Sequence, residues 1–264
     1  MNRLASSSVT RWIIGILVGL FFLVPLVATL VYTFTKDGEF TVAHWAALGD
    51  PAKAAVYQPI WTGLGNSLIL AVVTVLIVLL VLAPTMILVN LRYPRLRPVF
   101  EFVVLLPISI PAIVLVVGLT PIYLQIGRSF GTGAWTLAFA YGITVLPFAY
   151  RSIQASIDAV DMTTLAEAAR SLGAGWGTVL LRVLAPNLRQ GLLAASLLSI
   201  AVVLGEFTIA SLLNRDVLQT ALVVVQKQDG WAPAMFALMA LTFSFLLLLI
   251  IGRAARGRSG KADS

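Results

Sequence analysis

The sequence predicts an all-α, polytopic membrane protein with six transmembrane helices and a helical element on the cytoplasmic face. Three observations carry that expectation. Of the 264 residues, 59% are hydrophobic and 11% charged, against about 45–50% and about 25% in an ordinary soluble domain. The apolar residues gather into six long runs, and a membrane-crossing helix needs about 20 of them in succession. The basic residues cluster in alternate connections between the runs, the bias that orients a membrane protein.

The runs lie near 12–34, 67–91, 99–124, 133–151, 191–213 and 233–252. The first follows Arg3 and Arg11, as the core of a secretory signal would. It is longer than the ~7–15 residues of such a core, so a retained span is expected. Pro107, Pro111, Pro121 and Pro147 interrupt the third and fourth runs. Proline within a span is tolerated where neighbouring helices or cavity water satisfy the freed backbone groups, which suits these two runs to the interior of a bundle.

The charge pattern orients the runs. The N-terminus, the connection around Arg92, Arg95 and Arg97, the connection with Arg151, Arg170, Arg182 and Arg189, and the tail with Arg253, Arg256, Arg258 and Lys261 hold 13 of the 18 basic residues. Four acids share that side: Asp158, Asp161, Glu167 and Asp263. On the other side five bases, Lys36, Lys53, Arg128, Arg215 and Lys227, meet five acids, Asp37, Glu39, Asp50, Asp216 and Asp229. The first side is expected to be cytoplasmic, with both termini inside, as an even number of spans requires. The formal charge of +7 does not point to nucleic acid, because no basic stripe with interleaved aromatics is present. There are no cysteines, which excludes disulfides, thiolate metal sites and cysteine nucleophiles. The single histidine, His44, is expected to be a solvated loop residue, since metal sites gather several ligands. Neither a metal nor a cofactor is expected.

One connection is long. From Arg151 to Gln190 it spans about 40 residues, more than packing asks for, so it needs structure or a partner. Thr164 and Glu167 have the spacing of a capping box, with Asp161 as the alternative N-cap. Leu165, Ala166, Ala168, Ala169 and Leu172 favour helix, and Gly173 suits a left-handed stop. A second short helix is expected from about Gly177 to Ala185, ending near Pro186. A surface hairpin that merely caps a bundle would have the same features.

Glu167-Ala168-Ala169, three residues, Gly173, nine residues, then Val183-Leu184-Ala185-Pro186 resembles the EAA signature, EAA-x3-G-x9-I-x-L-P, of binding-protein-dependent ABC importer permeases. Val183 and Ala185 stand where the family often has isoleucine and leucine. The resemblance covers roughly residues 60–252, the permease domain. Residues 1–59 add a first helix and an external loop, and 253–264 a basic tail. It implies the inner-membrane permease subunit of a bacterial or archaeal importer, with Glu167, Ala168, Ala169, Gly173 and Pro186 in a coupling loop docked on an ATPase. The implied partners are two ATP-binding subunits, a second permease (identical or paralogous) and an extracytoplasmic solute-binding protein, all within membrane lipid and without nucleic acid. No G-x-x-x-x-G-K-[ST] sequence is present, so ATP hydrolysis is expected elsewhere. Gly205-Glu206-Phe207-Thr208 also resembles the polyamine, phosphonate and iron/sulfate branches, with a polyamine-like organic cation favoured.

Two acids fall in or beside apolar runs. A carboxylate within a span costs a few kcal/mol on insertion scales, so Glu206 should face a cavity or a partner: either it lines the translocation pathway or it makes a structural hydrogen bond. Glu101 is expected at the interface, paired with Arg97. Glu167 is expected to pair with Arg170 or with a base on a partner. The alternatives are weaker. An ion-coupled carrier would need repeats with midplane ligands, and none is visible. An intramembrane enzyme would need a base beside its nucleophile. A pure scaffold leaves Glu206 unexplained.

Overall fold

The computed structural model of the chain describes residues 8–256. Arg3 and the basic tail beyond Arg256 lie outside them. Nearly all of the described chain is helical. α1 (Ser8–Thr33) leads through a small antiparallel hairpin, β1 (Thr35–Lys36) and β2 (Glu39–Phe40), and then α2 (Ala43–Ala47), into α3 (Ala54–Ile77). α3 runs on through a π-wound turn, Val78–Leu82, into α4 (Ala83–Arg92). Then come α5 (Arg97–Leu105), α6 (Ala112–Phe130), α7 (Ala138–Asp158), α8 (Met162–Ser171) and α9 (Trp176–Thr178). A second π-wound turn, Val179–Leu184, joins α9 to α10 (Ala185–Asn187). The chain ends in α11 (Arg189–Gly205), α12 (Thr208–Leu212), α13 (Leu218–Gln226) and α14 (Ala232–Arg256).

This is the expected all-α polytopic architecture, with differences inside the runs. Among the described residues three helices are alone long and apolar enough to cross a membrane: Ser8–Thr33, the continuous Pro51–Arg92 and Ala112–Phe130. The bent pair Trp176–Asn187 and Arg189–Gly205 makes a fourth if taken as one span. The run expected at 99–124 is two helices, because Pro107 sits in a 3₁₀ turn, Leu106–Ser109, and Pro111 follows an extended Ile110. Pro121 and Pro147, expected to interrupt as well, sit inside continuous helices. α7 owes its lower apolarity to its place in the packing. It buries Tyr141, Tyr150 and Gln154 beside Ala140, Gly142 and Ala149, the small and polar residues of a helix that packs against other helices and not against lipid. The run expected at 191–213 breaks after Gly205.

The chain divides into two compact units. The first comprises the residues up to Gln58 together with Leu222–Phe245. In it, Asp37 and Gly38 take φ of 52° and 86°, the left-handed pair of a tight hairpin turn that Asp-Gly favours. Phe34 stacks on Phe40 and Trp45, and the Trp45 indole N–H donates to Thr33 Oγ1. His44 is a correction: it is buried within α2, not solvated, with its ring 4.2 Å from that of Trp231. The apolar flank of the imidazole is covered by an aromatic partner that is remote in sequence. Tyr57 donates to Asp229 Oδ2 at 2.6 Å, and Asp229 also accepts from the Trp231 and Ala232 amides that open α14.

The second unit, from Pro59 to Ala221 and from Leu246 on, is built around α7, whose most extensive contact is with α11. The two helices come close because residue 191 is glycine. A Cβ there would lie 2.5 Å from Ser156 Oγ and 2.6 Å from the Ser152 carbonyl oxygen. Gly63 does the same for the start of α13, since its Cβ would meet the Val217 carbonyl oxygen at 2.7 Å. One turn on, Asn66 donates to the Asp216 carbonyl and the Leu218 amide donates to Ser67 Oγ.

Candidate functional site

α8 starts at Asp161, whose carboxylate accepts from the Thr164 amide at 3.1 Å and the Thr164 hydroxyl at 2.7 Å. Of the two caps the sequence offered, Asp161 forms and the Thr164–Glu167 box does not, because Thr164 already lies inside the helix. The hydrogen bonds from Thr164, side chain first and then backbone, hold the Asp161 carboxyl below its ordinary range. Met162 and Ala166 point into the core, with Leu165 and Ala169 half-buried beside them, while Glu167 and Ala168 are exposed.

The end of α8 is closed as the sequence suggested. Gly173 has φ 86°. Its amide donates to the Arg170 carbonyl at 2.9 Å, and that of Ala174 to the Ala169 carbonyl at 3.1 Å. This nested pair satisfies the last carbonyls of a helix. The second helix is longer than expected. It runs from Trp176 to Asn187, and exposed Pro186 sits inside its last turn and does not stop it. A π turn carries one extra residue, which relieves the clash of the proline ring with the carbonyl of the preceding turn. The same pairing of a π turn with a following proline recurs at Val78–Leu82 and Pro84.

The hairpin is continuous with the core. Met162, Ala166, Val179, Leu184 and Leu188 belong to one buried cluster with Ile153 and Ile157 of α7 and Met86 and Ile87 of α4. Displacement of the hairpin therefore loads the membrane helices directly, as a close-packed interior requires. Its outer side presents Glu167, Ala168 and Gly173, flanked by Leu172 and Leu181, which are 89% and 75% exposed. The sequence marks Leu172 only as a helix former, and Leu181 not at all. Their apolar exposure only becomes visible once the helix faces are known. Glu167 does not pair with Arg170. The Arg170 guanidinium lies 4.9 Å over the Trp176 ring, a cation–π contact the sequence did not reveal.

Glu206 stands in the break between α11 and α12 with an extended backbone. Its carboxylate accepts from the Ile209 amide at 3.0–3.1 Å, closing the start of α12. The freed backbone is satisfied from neighbours: Gln219 Nε2 donates to the Leu204 carbonyl at 2.8 Å, and the Tyr141 hydroxyl donates to the Glu206 carbonyl at 3.4 Å. Irregular backbone at membrane depth is stable only under such cover. Glu206 therefore makes a structural hydrogen bond and remains half-buried. Among the described residues no Lys or Arg nitrogen lies within 4.0 Å of its carboxylate. Glu101 is a correction. It pairs with Arg151 at 3.6 Å, while Arg97 binds both oxygens of Asp158 at 2.8 and 3.1 Å. Arg97 and Glu101 share a helix face in the less favourable order for an i,i+4 pair, and α7 offers each a partner across the packing.

Fold and site together define a helical membrane permease whose longest connection is a capped hairpin rooted in its core. The chain belongs to the family described as binding-protein-dependent transport system inner membrane component, which it matches over residues 86–259. It is therefore a multi-pass transport component and not an enzyme. It is similar to the spermidine/putrescine transport system permease protein PotB of Haemophilus influenzae, 27% identical over 217 residues, which cover 74% of this chain and 73% of that protein. It also resembles the probable ABC transporter permease protein y4fN of Sinorhizobium fredii, 28% identical over 142 residues, or 53% of this chain and 25% of that longer protein.

Proposed function

We propose that the chain forms half of the translocation pathway of an ATP-binding-cassette importer and that the hairpin from Met162 to Asn187 is its coupling element. The carrying observation is the capped α8, which exposes Glu167, Ala168 and Gly173 while its other face is part of the core. Ala169 sets the spacing to that core and Pro186 lies in the last turn of the second arm. Two ATP-binding subunits dock on two such hairpins, one per permease, and their closure rotates the permeases as packed bodies between two arrangements. In this reading the hairpin and both termini are cytoplasmic and the chain crosses the membrane six times. Residues 60–252 form the permease domain, 1–59 the added first helix and outer loop, and 253–264 the tail. A second permease, identical or paralogous, completes the pathway, and an external binding protein delivers the solute.

The solute we favour is a polyamine-like organic cation. The name of the Haemophilus relative supports it, as does a half-buried carboxylate, Glu206, without a basic partner among the described residues. Phosphonate, iron and sulfate-type solutes are the alternatives. Gly173→Val tests the coupling role. The variant should insert normally but lose ATP-driven uptake of radiolabelled putrescine or spermidine in proteoliposomes that hold the accompanying subunits. Normal uptake would remove the coupling role. A tagged chain that brings down no ATPase would remove the importer reading itself.

A further inference from the structure

We propose that a groove between α4 and the second arm of the hairpin binds one anionic phospholipid of the cytoplasmic leaflet, with its phosphate at Arg92 and an acyl chain along the groove. The groove has a volume of about 420 Å³, and its walls are aliphatic: Ile87, Leu88 and Leu91 from α4 and Leu180 from the hairpin. Its polar lining includes Arg92, at the end of α4. Trp176 closes the hairpin side, under the Arg170 guanidinium.

Three features select a lipid over a soluble ligand. The α4 wall runs from Pro84 to Arg92, about 12 Å at the helical rise. Starting at the membrane surface, that length reaches most of the way through one leaflet of about 15 Å of hydrocarbon. An arginine and a tryptophan beside an aliphatic slot match the interface, where a phosphate and glycerol sit above the chains. Among the described residues no carboxylate oxygen lies within 4.0 Å of the Arg92 guanidinium, so its charge is available to a phosphate. Basic pockets between helices on the cytoplasmic side recognise anionic head groups in this way. Because one wall is membrane helix and the other is hairpin, the lipid joins the two.

The inference rests on the reading that puts Arg92 at the cytoplasmic surface. Cysteine labelling tests that orientation separately, so the two can fail independently. The full chain, with the subunits that accompany it, is placed in phosphatidylcholine bilayers doped with phosphatidylglycerol brominated on its acyl chains. The Trp176 signal is read as wild type minus Trp176→Phe. Brominated phosphatidylglycerol should quench it more than brominated phosphatidylcholine at equal mole fraction. Arg92→Gln should reduce that preference about fivefold, and Arg92→Lys should keep it. Leu88→Phe, at a half-exposed position, should fill the slot and lower quenching by either lipid. Equal quenching by the two lipids overturns the proposal, as does an unchanged preference in Arg92→Gln. So does a Trp176 that no brominated lipid reaches, which would mean that protein covers the groove.

Discussion

Gly173 stands in the left-handed region, yet a Cβ there would meet no neighbouring atom within 4 Å. Its constraint is conformational, about 1–2 kcal/mol for an ordinary side chain. If the hairpin is the coupling element, asparagine, which tolerates this region, should therefore keep more uptake than valine at this position, a comparison that separates backbone strain from steric exclusion at the outer face. Asp161 makes a pH prediction. Its carboxyl is held low in the folded chain, so its contribution to α8 is complete above the ordinary carboxylate range and is lost as pH falls through the depressed value. Hydrogen-exchange protection factors of the Met162–Leu165 amides, taken relative to the intrinsic rate at each pH, should fall on acidification, and in Asp161→Ala they should already be low at neutral pH. At Glu206, glutamine can still accept from the Ile209 amide, so Glu206→Gln removes the charge and keeps the cap. If the carboxylate meets a cationic solute, uptake of labelled spermidine should fall about tenfold, the loss expected for one charge-assisted hydrogen bond. Unchanged uptake would leave Glu206 as the cap of α12 alone.

At the scale of elements, two helix pairings depend on the absence of a single Cβ. Gly191→Val places atoms on the backbone of Ser152 and the side chain of Ser156, where overpacking costs about 1–3 kcal/mol. The variant should lower the thermal unfolding midpoint in detergent, whereas Gly118→Ala, with no atom within 4 Å of the new Cβ, should not. A midpoint unchanged by Gly191→Val would show that α7 and α11 separate at little cost. The prolines behave by context and not by count. Pro84 and Pro186 follow π turns that absorb them, Pro107 and Pro111 break a run, and Pro121 and Pro147 do neither. The β-hairpin, α2 and α13 went unassigned from the sequence. The hairpin at Asp37-Gly38 had a readable turn signal. α13 did not, because what holds its start are remote groups on α3: Gly63, Asn66 and Ser67.

For the whole molecule, orientation can be tested directly because the sequence contains no cysteine. Ser171 and Lys227 are both exposed, on connections the charge bias puts on opposite sides. In otherwise unaltered chains, Lys227→Cys should react with an impermeant maleimide added outside intact spheroplasts, and Ser171→Cys only after permeabilisation. The reverse pattern would invert the topology and move the hairpin away from any cytoplasmic ATPase. α1 bears on the same question. It is apolar on every side and exposed from Ser8 to Tyr32 except at Thr29, so lipid or another subunit must cover it.

By itself the sequence determined that this is an all-helical membrane protein resembling the permeases, where its capped hairpin lies, and where α8 ends. Each follows from short-range information: run length against membrane thickness, the spacing of Glu167, Gly173 and Pro186, and the left-handed freedom of glycine. Only the tertiary structure decided which carboxylate caps α8, which arginine meets Glu101, that His44 is buried against Trp231, and that Glu206 sits in a break covered by Tyr141 and Gln219. Those outcomes depend in some cases on groups 50, 65 and 187 residues away, Arg151, Tyr141 and Trp231, and in others on small differences between nearby alternatives. A one-dimensional pattern carries neither the distance nor the competition.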